Sequence, residues 1–333
     1  MSSSGLEPTG LEMQLQDQRD SETQGCALVF PGQGTQHIGM GQEVCDQSPA
    51  TARVWDCASD ISGFDVRRLC MKGPMPRLDK TQYQQVAVTT VNIAMLEAMR
   101  AKLTVGEACV AGHSVGEFSA LYAAGVLGLE DVFRAVTARG AIMNALAEET
   151  EGAMHAVKGI DRQGLVALLE SQALVDRIDI ANDNSPKQQV VSGSRSALKQ
   201  WLPTLLRAGF EQVKLPVNGA WHSGLMRKGA DEFQSVIDRL HFAEAGLPVF
   251  TNQSAAAVTA PDLLKRDLVS NLYSTVRWCE TVVAVADSGV RLLLEVGPKK
   301  VLSRLLLDFP TLEGQMTARH AGDVIKAGKA EIP

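Results

Sequence analysis

The sequence has no block of basic residues, no long apolar run and no closely paired cysteines, and each shortage excludes something. Its 32 Lys and Arg stand against 38 Asp and Glu, for a net charge of −6, and the cations are scattered. A surface that tracks nucleic-acid phosphates needs them massed, so nucleic acid is not an expected partner. No uninterrupted apolar stretch approaches the ~20 residues of a membrane-spanning helix, so no membrane association is expected. The six cysteines (Cys26, Cys45, Cys57, Cys70, Cys109 and Cys279) form no C-x-x-C pair and share no zinc-finger spacing with histidine. A metal site is therefore not expected, and the thiols read as reduced. Residues 1–25 are polar and lack the basic start and apolar middle of a secretion signal. They read as a disordered leader on a cytoplasmic protein.

What is present is a globular chain of 333 residues, 45% apolar, long enough for about two domains or for one large domain with an insertion. Order is expected to begin at Cys26-Ala-Leu-Val-Phe30, an apolar run of the kind that forms a buried parallel strand. A glycine-rich turn, Pro31-Gly-Gln-Gly-Thr-Gln36, ends it. Helical patterns follow over 38–60 and 82–103, then a strand over 105–111, the turn Gly112-His-Ser-Val-Gly116, and a helical stretch over 117–148 interrupted near 125–129. Residues 152–217 have a separate rhythm, strand–helix–strand–strand–helix–strand, which is the ferredoxin-like order βαββαβ. The parent pattern resumes with Pro248–Asn252, a helical stretch through 268–288, an apolar strand over 290–296 ending at Gly297-Pro298, and a last helix. The expectation is an α/β protein: an α/β-hydrolase-like parallel sheet core from 26–151 and 218–320, an inserted ferredoxin-like subdomain over 152–217, and a tail from 321.

The chemistry concentrates at Gly112-His113-Ser114-Val115-Gly116. Glycines two before and two after a serine let the chain turn sharply from strand into helix and leave the hydroxyl exposed in a strained conformation. The pattern alone also fits an ordinary glycine turn, but the apolar strand before it and the helix after it favour a nucleophilic Ser114. A serine needs a base. Of His37, His113, His155, His222, His241 and His320, the last lies in a polar tail, and His155 and His241 sit where structural roles are common. His113 adjoins the serine but points away from it in such a turn. His222, in Gly219-Ala-Trp-His-Ser-Gly224 directly after a strand, stands where catalytic loops tend to sit. Pro31–Gln36 lacks the lysine and spacing of a phosphate-binding loop.

Five segments in order, Phe30-Pro-Gly-Gln-Gly-Thr-Gln36, Gly112-His-Ser-Val-Gly-Glu117, Thr137-Ala-Arg-Gly-Ala-Ile-Met143, Gly219-Ala-Trp-His-Ser223 and Glu295-Val-Gly-Pro298, resemble the malonyl-CoA:acyl-carrier-protein transacylase family, including polyketide acyltransferases. The resemblance runs from about 26 to 308. It implies transfer of a malonyl group from CoA to the pantetheine thiol of an acyl carrier protein through an acyl-serine. Ser114 would be the nucleophile, His222 the base, and the amides of Gln33 and Val115 the oxyanion hole. The main-chain carbonyl of Asn271 would orient the histidine, and Arg139 would grip the acyl carboxylate. Malonyl-CoA enters as substrate, with no bound cofactor, and a monomer is expected. Trp221, standing where malonyl-selective relatives commonly carry Phe, leaves little room for an α-branch. Thr275 stands where relatives often carry proline. Lys299, Lys300 and Arg304, with Lys187 as a further candidate, would dock the acidic carrier. The competing readings are an acyl-thioester hydrolase on the same scaffold, which typically lacks the arginine, and a non-catalytic docking module, which would not need Ser114 and His222.

Overall fold

The computed structural model describes residues 25–328 and 331–332; the expected leader, apart from Gly25, lies outside the described residues. Its strands in chain order are β1 (Cys26–Phe30), β2 (Thr104–Val105), β3 (Glu107–Gly112), β4 (Gly152–Lys158), β5 (Ile178–Ser185), β6 (Gln188–Ser194), β7 (Glu211–Lys214), β8 (Val249–Phe250), β9 (Ala257–Val258), β10 (Leu292–Glu295), β11 (Thr317–His320) and β12 (Glu331–Ile332). Six of them form one sheet in the order β11-β10-β1-β3-β8-β9, parallel except for the last pair. β1 lies in its middle, every residue buried, as an apolar run without alternation requires. Successive side chains point to opposite faces. Cys26, Leu28 and Phe30 join one core with the Thr81–Arg100 helix, while Ala27 and Val29 join a second core with the Trp278–Asp287 helix. No helix of the described residues is long and apolar enough to cross a membrane.

The region over 152–214 makes its own four-stranded antiparallel sheet, ordered β5-β6-β4-β7. That is the ferredoxin-like arrangement expected of the βαββαβ pattern. Ala153 and Val157 of β4 pack under the helices Arg162–Glu170 and Arg195–Arg207, and the alternate residues Met154 and Ala156 face the catalytic core. Contacts that tie the inserted sheet to the parent fold include a bridge between Asn182 and Val276, a hydrogen bond from Thr275 Oγ1 to Ile180 O (2.7 Å), His113 Nε2 to Asn184 Oδ1 (2.8 Å), and Ser185 Oγ to Asp308 Oδ2 (2.7 Å).

Three expectations need correction. The helix expected over 38–60 begins only at Pro49, because Gly39 and Gly41 adopt positive φ and Ser48 caps the helix through the Thr51 amide. The stretch over 268–288 is two helices, Pro261–Ser270 and Trp278–Asp287, separated by a segment that carries the contacts to the inserted sheet. The expected tail from 321 is folded: Ala321–Ala327 is a helix with Val324 and Ile325 in the core, and Glu331–Ile332 pairs in parallel with β2; just before it, Thr317–His320 is an edge strand of the core sheet. His320 is accordingly a buried helix cap, its Nδ1 accepting from Gly322 N and its Nε2 2.9 Å from Gly297 O.

The glycines at the end of β3 carry the tightest packing in the fold. A Cβ on Gly112 would lie 2.1 Å from the Gly116 carbonyl carbon, and one on Gly116 would lie 2.1 Å from Phe30 O. These contacts are between main chains, so no rotamer change relieves them. Gly116→Ala should therefore cost about 3 kcal/mol or more in urea unfolding. Gly128→Ala, where nothing lies within 4 Å, should cost about 1 kcal/mol or less. Equal losses would show that the close approach carries no strain.

Candidate active site

The loops that follow β1, β3, β8 and β10 all emerge at the C-terminal edge of the parallel sheet, the edge where open α/β sheets bind ligands. Ser114 sits in the turn after β3 with φ +54°, a left-handed conformation that a non-glycine residue holds only under constraint. Its Oγ is 2.7 Å from His222 Nε2. His222 is itself at φ +56°, and its Nδ1 is 3.1 Å from Ser274 O. A carbonyl at Nδ1 calls for a proton there, which leaves the Nε2 lone pair facing the serine hydroxyl. The pair is thus set for transfer of the Ser114 proton to His222.

The carbonyl at hydrogen-bond distance is Ser274's, one turn beyond the expected Asn271, although the Asn271 carbonyl also favours the protonated ring. Both residues lie just past the end of the Pro261–Ser270 helix, where main-chain carbonyls have left the helical ladder and are open to other donors. Asn271 contributes chiefly through its side chain. Its Oδ1 accepts from Arg139 Nη2 (3.0 Å), and its Nδ2 points to Glu117 Oε2.

Among the described residues, the amide N–H groups of Gln33 and Val115 have no protein partner, as oxyanion donors should not. Gly32 brings the Gln33 loop onto the turn: a Cβ there would meet His113 O at 2.5 Å. Gln33, Ser114 and His222 share a cavity of about 240 Å³ whose far wall is the inserted sheet, with Met154, Ala156 and Val190. Trp221 also lines it, its ring lying against the bare Cα of Gly219.

Arg139 does not line the cavity. It is fully buried beside it, its Nη1 donating to Gln85 Oε1 (2.6 Å), its Nη2 to Asn271, and its Nε left without a partner. Asn271 Nδ2 lies 3.5 Å from Ser114 O, so one side-chain amide separates the guanidinium from the main chain of Ser114. Met143 Sδ receives Gln85 Nε2 at 3.2 Å, which fixes the other amide on the guanidinium. Sequence reasoning missed Glu117, Asn252 and Gln85 as parts of this cluster. The visible signal was a carboxylate in the first turn of a helix whose every other neighbour is apolar or small.

Burial sets the charges. Desolvation, reinforced by the Arg139 and His113 fields, lowers the His222 imidazole to about 3. Desolvation lowers Arg139 to about 10, still a cation, and raises the Glu117 carboxyl to about 7. The remaining histidines do not reach the cavity's chemistry: His155 Nδ1 pairs with Gln212 Oε1, His37 Nδ1 with Thr35 O, and His241 is exposed. A base already neutral well below its ordinary value has no acid limb in the usual range. Inactivation of Ser114 by phenylmethanesulfonyl fluoride should hence be level from about pH 5 to about pH 8. A fall centred near about 6.5, the ordinary imidazole value, would show a solvated ring instead.

Comparison with known proteins agrees with the motif order. A model of the family described as acyl transferase domain matches residues 27–330. The malonyl CoA-acyl carrier protein transacylase of Haemophilus influenzae is 32% identical over 307 residues, spanning 92% of this chain and 97% of that one. The Bacillus subtilis protein of the same name is 36% identical over 282 residues, 84% and 89% of the two chains. Among solved structures, the malonyl CoA-acyl carrier protein transacylase of Coxiella burnetii superposes with a TM-score of 0.86 at 30% identity, covering 91% of this chain and 96% of that one. A type II polyketide synthase malonyl-transacylase, solved in complex with its acyl-carrier protein, gives 0.85 at 30% identity over 92% and 100%. Agreement of that extent, over fold and sequence alike, makes the chain a member of the acyl transferase domain family.

Proposed function

We propose that the protein transfers a malonyl group from CoA to the pantetheine thiol of an acyl carrier protein, by way of a malonyl ester on Ser114. The observation that carries the substrate class is a fully buried guanidinium one amide away from the nucleophile, with its Nε unpartnered. A buried cation with an open donor fits an acyl group that ends in a carboxylate, and Arg presents the planar fork such a group needs. The names of the transacylase relatives support the same acyl group and acceptor.

In the first half-reaction His222 Nε2 takes the Ser114 proton as Oγ bonds to the thioester carbonyl carbon. The carbonyl oxygen, now an anion, accepts from the Gln33 and Val115 amides. Collapse breaks the carbon–sulfur bond, and the imidazolium returns its proton to the departing CoA thiol. The second half runs the same steps in reverse with the carrier's thiol. One thioester is exchanged for another, so the sequence of steps draws on no ATP or redox group. Water is the competitor, and the cavity between the two sheets limits its access to the ester.

Radiolabelled malonyl-CoA should mark the protein covalently, and Ser114→Ala should abolish the mark. Arg139→Ala should reduce malonyl transfer by about 2–5 kcal/mol in kcat/KM while acetyl transfer changes little. Equal losses for both acyl groups would remove Arg139 from carboxylate recognition, and free malonate appearing faster than loaded carrier would make the protein a hydrolase. Trp221→Ala removes the ring that lies over Gly219, and should raise the ratio of methylmalonyl to malonyl transfer about tenfold or more. For carrier docking, Lys299, Lys300 and Arg304 are all exposed at the Val301–Leu305 side of the cavity mouth; Lys300 is paired with Asp323 (2.5 Å) and Lys299 Nζ donates to Gln36 O (3.3 Å). Lys299→Glu with Arg304→Glu should raise the KM for carrier and leave that for malonyl-CoA in place. Unchanged carrier kinetics would move the docking surface elsewhere.

A further inference from the structure

Glu117 lies three residues after the nucleophile, 1% exposed, and the steps above do not use it. Its Oε2 receives two side-chain amides from distant segments: Asn252 Nδ2 at 2.5 Å, from the loop after β8, and Asn271 Nδ2, from the end of the Pro261–Ser270 helix. The oxygen ends of those amides do the rest. Asn252 Oδ1 accepts from Ser114 N (2.8 Å), and its Nδ2 also reaches Gly112 O (2.7 Å). Asn271 Oδ1 accepts from Arg139 Nη2. An oxygen that only accepts compels each asparagine to turn its NH₂ toward it, and therefore its C=O outward. One carboxylate thus dictates which way both amides face.

We propose that Glu117 is a positioning residue which, by orienting Asn252 and Asn271 together, holds the Ser114 turn and the Arg139 guanidinium in one geometry and couples the nucleophile to the acyl-carboxylate site. This rests on the reading that Arg139 receives an acyl carboxylate. Oε1 of Glu117 has no hydrogen-bond partner among the described residues, so a proton can reside there while Oε2 keeps both amides. The charged groups around it are Arg139, across Asn271, Asp267 on the Pro261–Ser270 helix, and His222 beyond the guanidinium. Burial and Asp267 raise the carboxyl to about 7, against the pull of the two amides and Arg139. An acyl carboxylate arriving at Arg139 adds a second anion beside a single cation in a dry site. It binds best when Glu117 is protonated, so malonyl binding weakens as pH rises through neutrality, and an acyl group without a carboxylate feels nothing.

The test is acylation of Ser114 followed by intact-mass spectrometry, with malonyl-CoA and acetyl-CoA as donors, in the wild type, Glu117→Gln, Glu117→Ala and Arg139→Ala. In the wild type the malonyl-CoA KM should rise about fivefold from about pH 6 to about pH 8, as one carboxyl shifted from about 7 by about one pKa unit on binding would give, with the acetyl-CoA KM level. Glu117→Gln retains an acceptor for both amides without the charge. It should keep the malonyl-CoA KM low and level across that range. Glu117→Ala frees both amides, and should slow acylation by either donor about tenfold or more, a loss that Glu117→Gln largely recovers. A Glu117→Gln profile that follows the wild type, or a Glu117→Ala protein that acylates like the wild type, overturns the proposal. If Arg139→Ala fails to separate the two donors, the carboxylate reading itself falls. If it separates them and Glu117→Gln still follows the wild type, Glu117 alone is displaced.

Discussion

Three main-chain contacts around Ser114, each possible only because a Cβ is missing, determine what the rest of the site can be. Gly116 lies against Phe30 O, Gly112 against Gly116, and Gly32 against His113 O. The first two press strand and helix together so closely that the residue between must take a positive φ. The third lays the loop after β1, which carries Gln33, across that turn. With the turn so compressed, Ser114 N cannot find a partner in its own strand or helix, and Asn252 supplies one from a segment 138 residues away. An unpaired amide at that depth costs ~1–3 kcal/mol, so the asparagine belongs to the turn as much as the glycines do.

Burial then decides the charges. The cluster holds one guanidinium and one carboxylate with no direct ion pair between them; amides of Gln85, Asn252 and Asn271 stand where counter-ions would. A direct pair would satisfy Arg139 and leave nothing for a ligand. Amides are neutral, so they fix the guanidinium's direction without pairing its charge directly. Burial, reinforced by the Arg139 field, keeps the imidazole neutral, which is the state a proton acceptor needs.

The sequence carried the parts of the site whose chemistry is local. A buried strand, a glycine, a serine and a second glycine before a helix depend only on neighbours, and the ferredoxin-like order was readable from its alternation of strands and helices. Partnerships across the chain were not. The choice between Asn271 and Ser274 depends on where a helix frays, and the side chain of Asn271 faces Arg139 only once the Pro261–Ser270 and Leu129–Glu149 helices are packed. Strand Thr317–His320 escaped notice because it pairs on one side only. Its residues alternate, Thr317 and Arg319 exposed and Ala318 and His320 turned inward, but the inward pair is an alanine and a histidine, which give no apolar signal. The Leu268–Ser288 stretch read as one helix because Asn271–Arg277 contains no glycine or proline. Its break is made by tertiary contacts, Thr275 with Ile180 and Val276 with Asn182.

The cavity is walled by two sheets of different descent in the fold. The dyad and the amides beside it belong to loops of the parallel sheet, and Met154, Ala156 and Val190 project from the antiparallel one. Exchanges among those three side chains change the room available to a guest without moving any atom that makes or breaks a bond. Such a division lets the scaffold drift toward new cargo while its reactive apparatus is inherited intact.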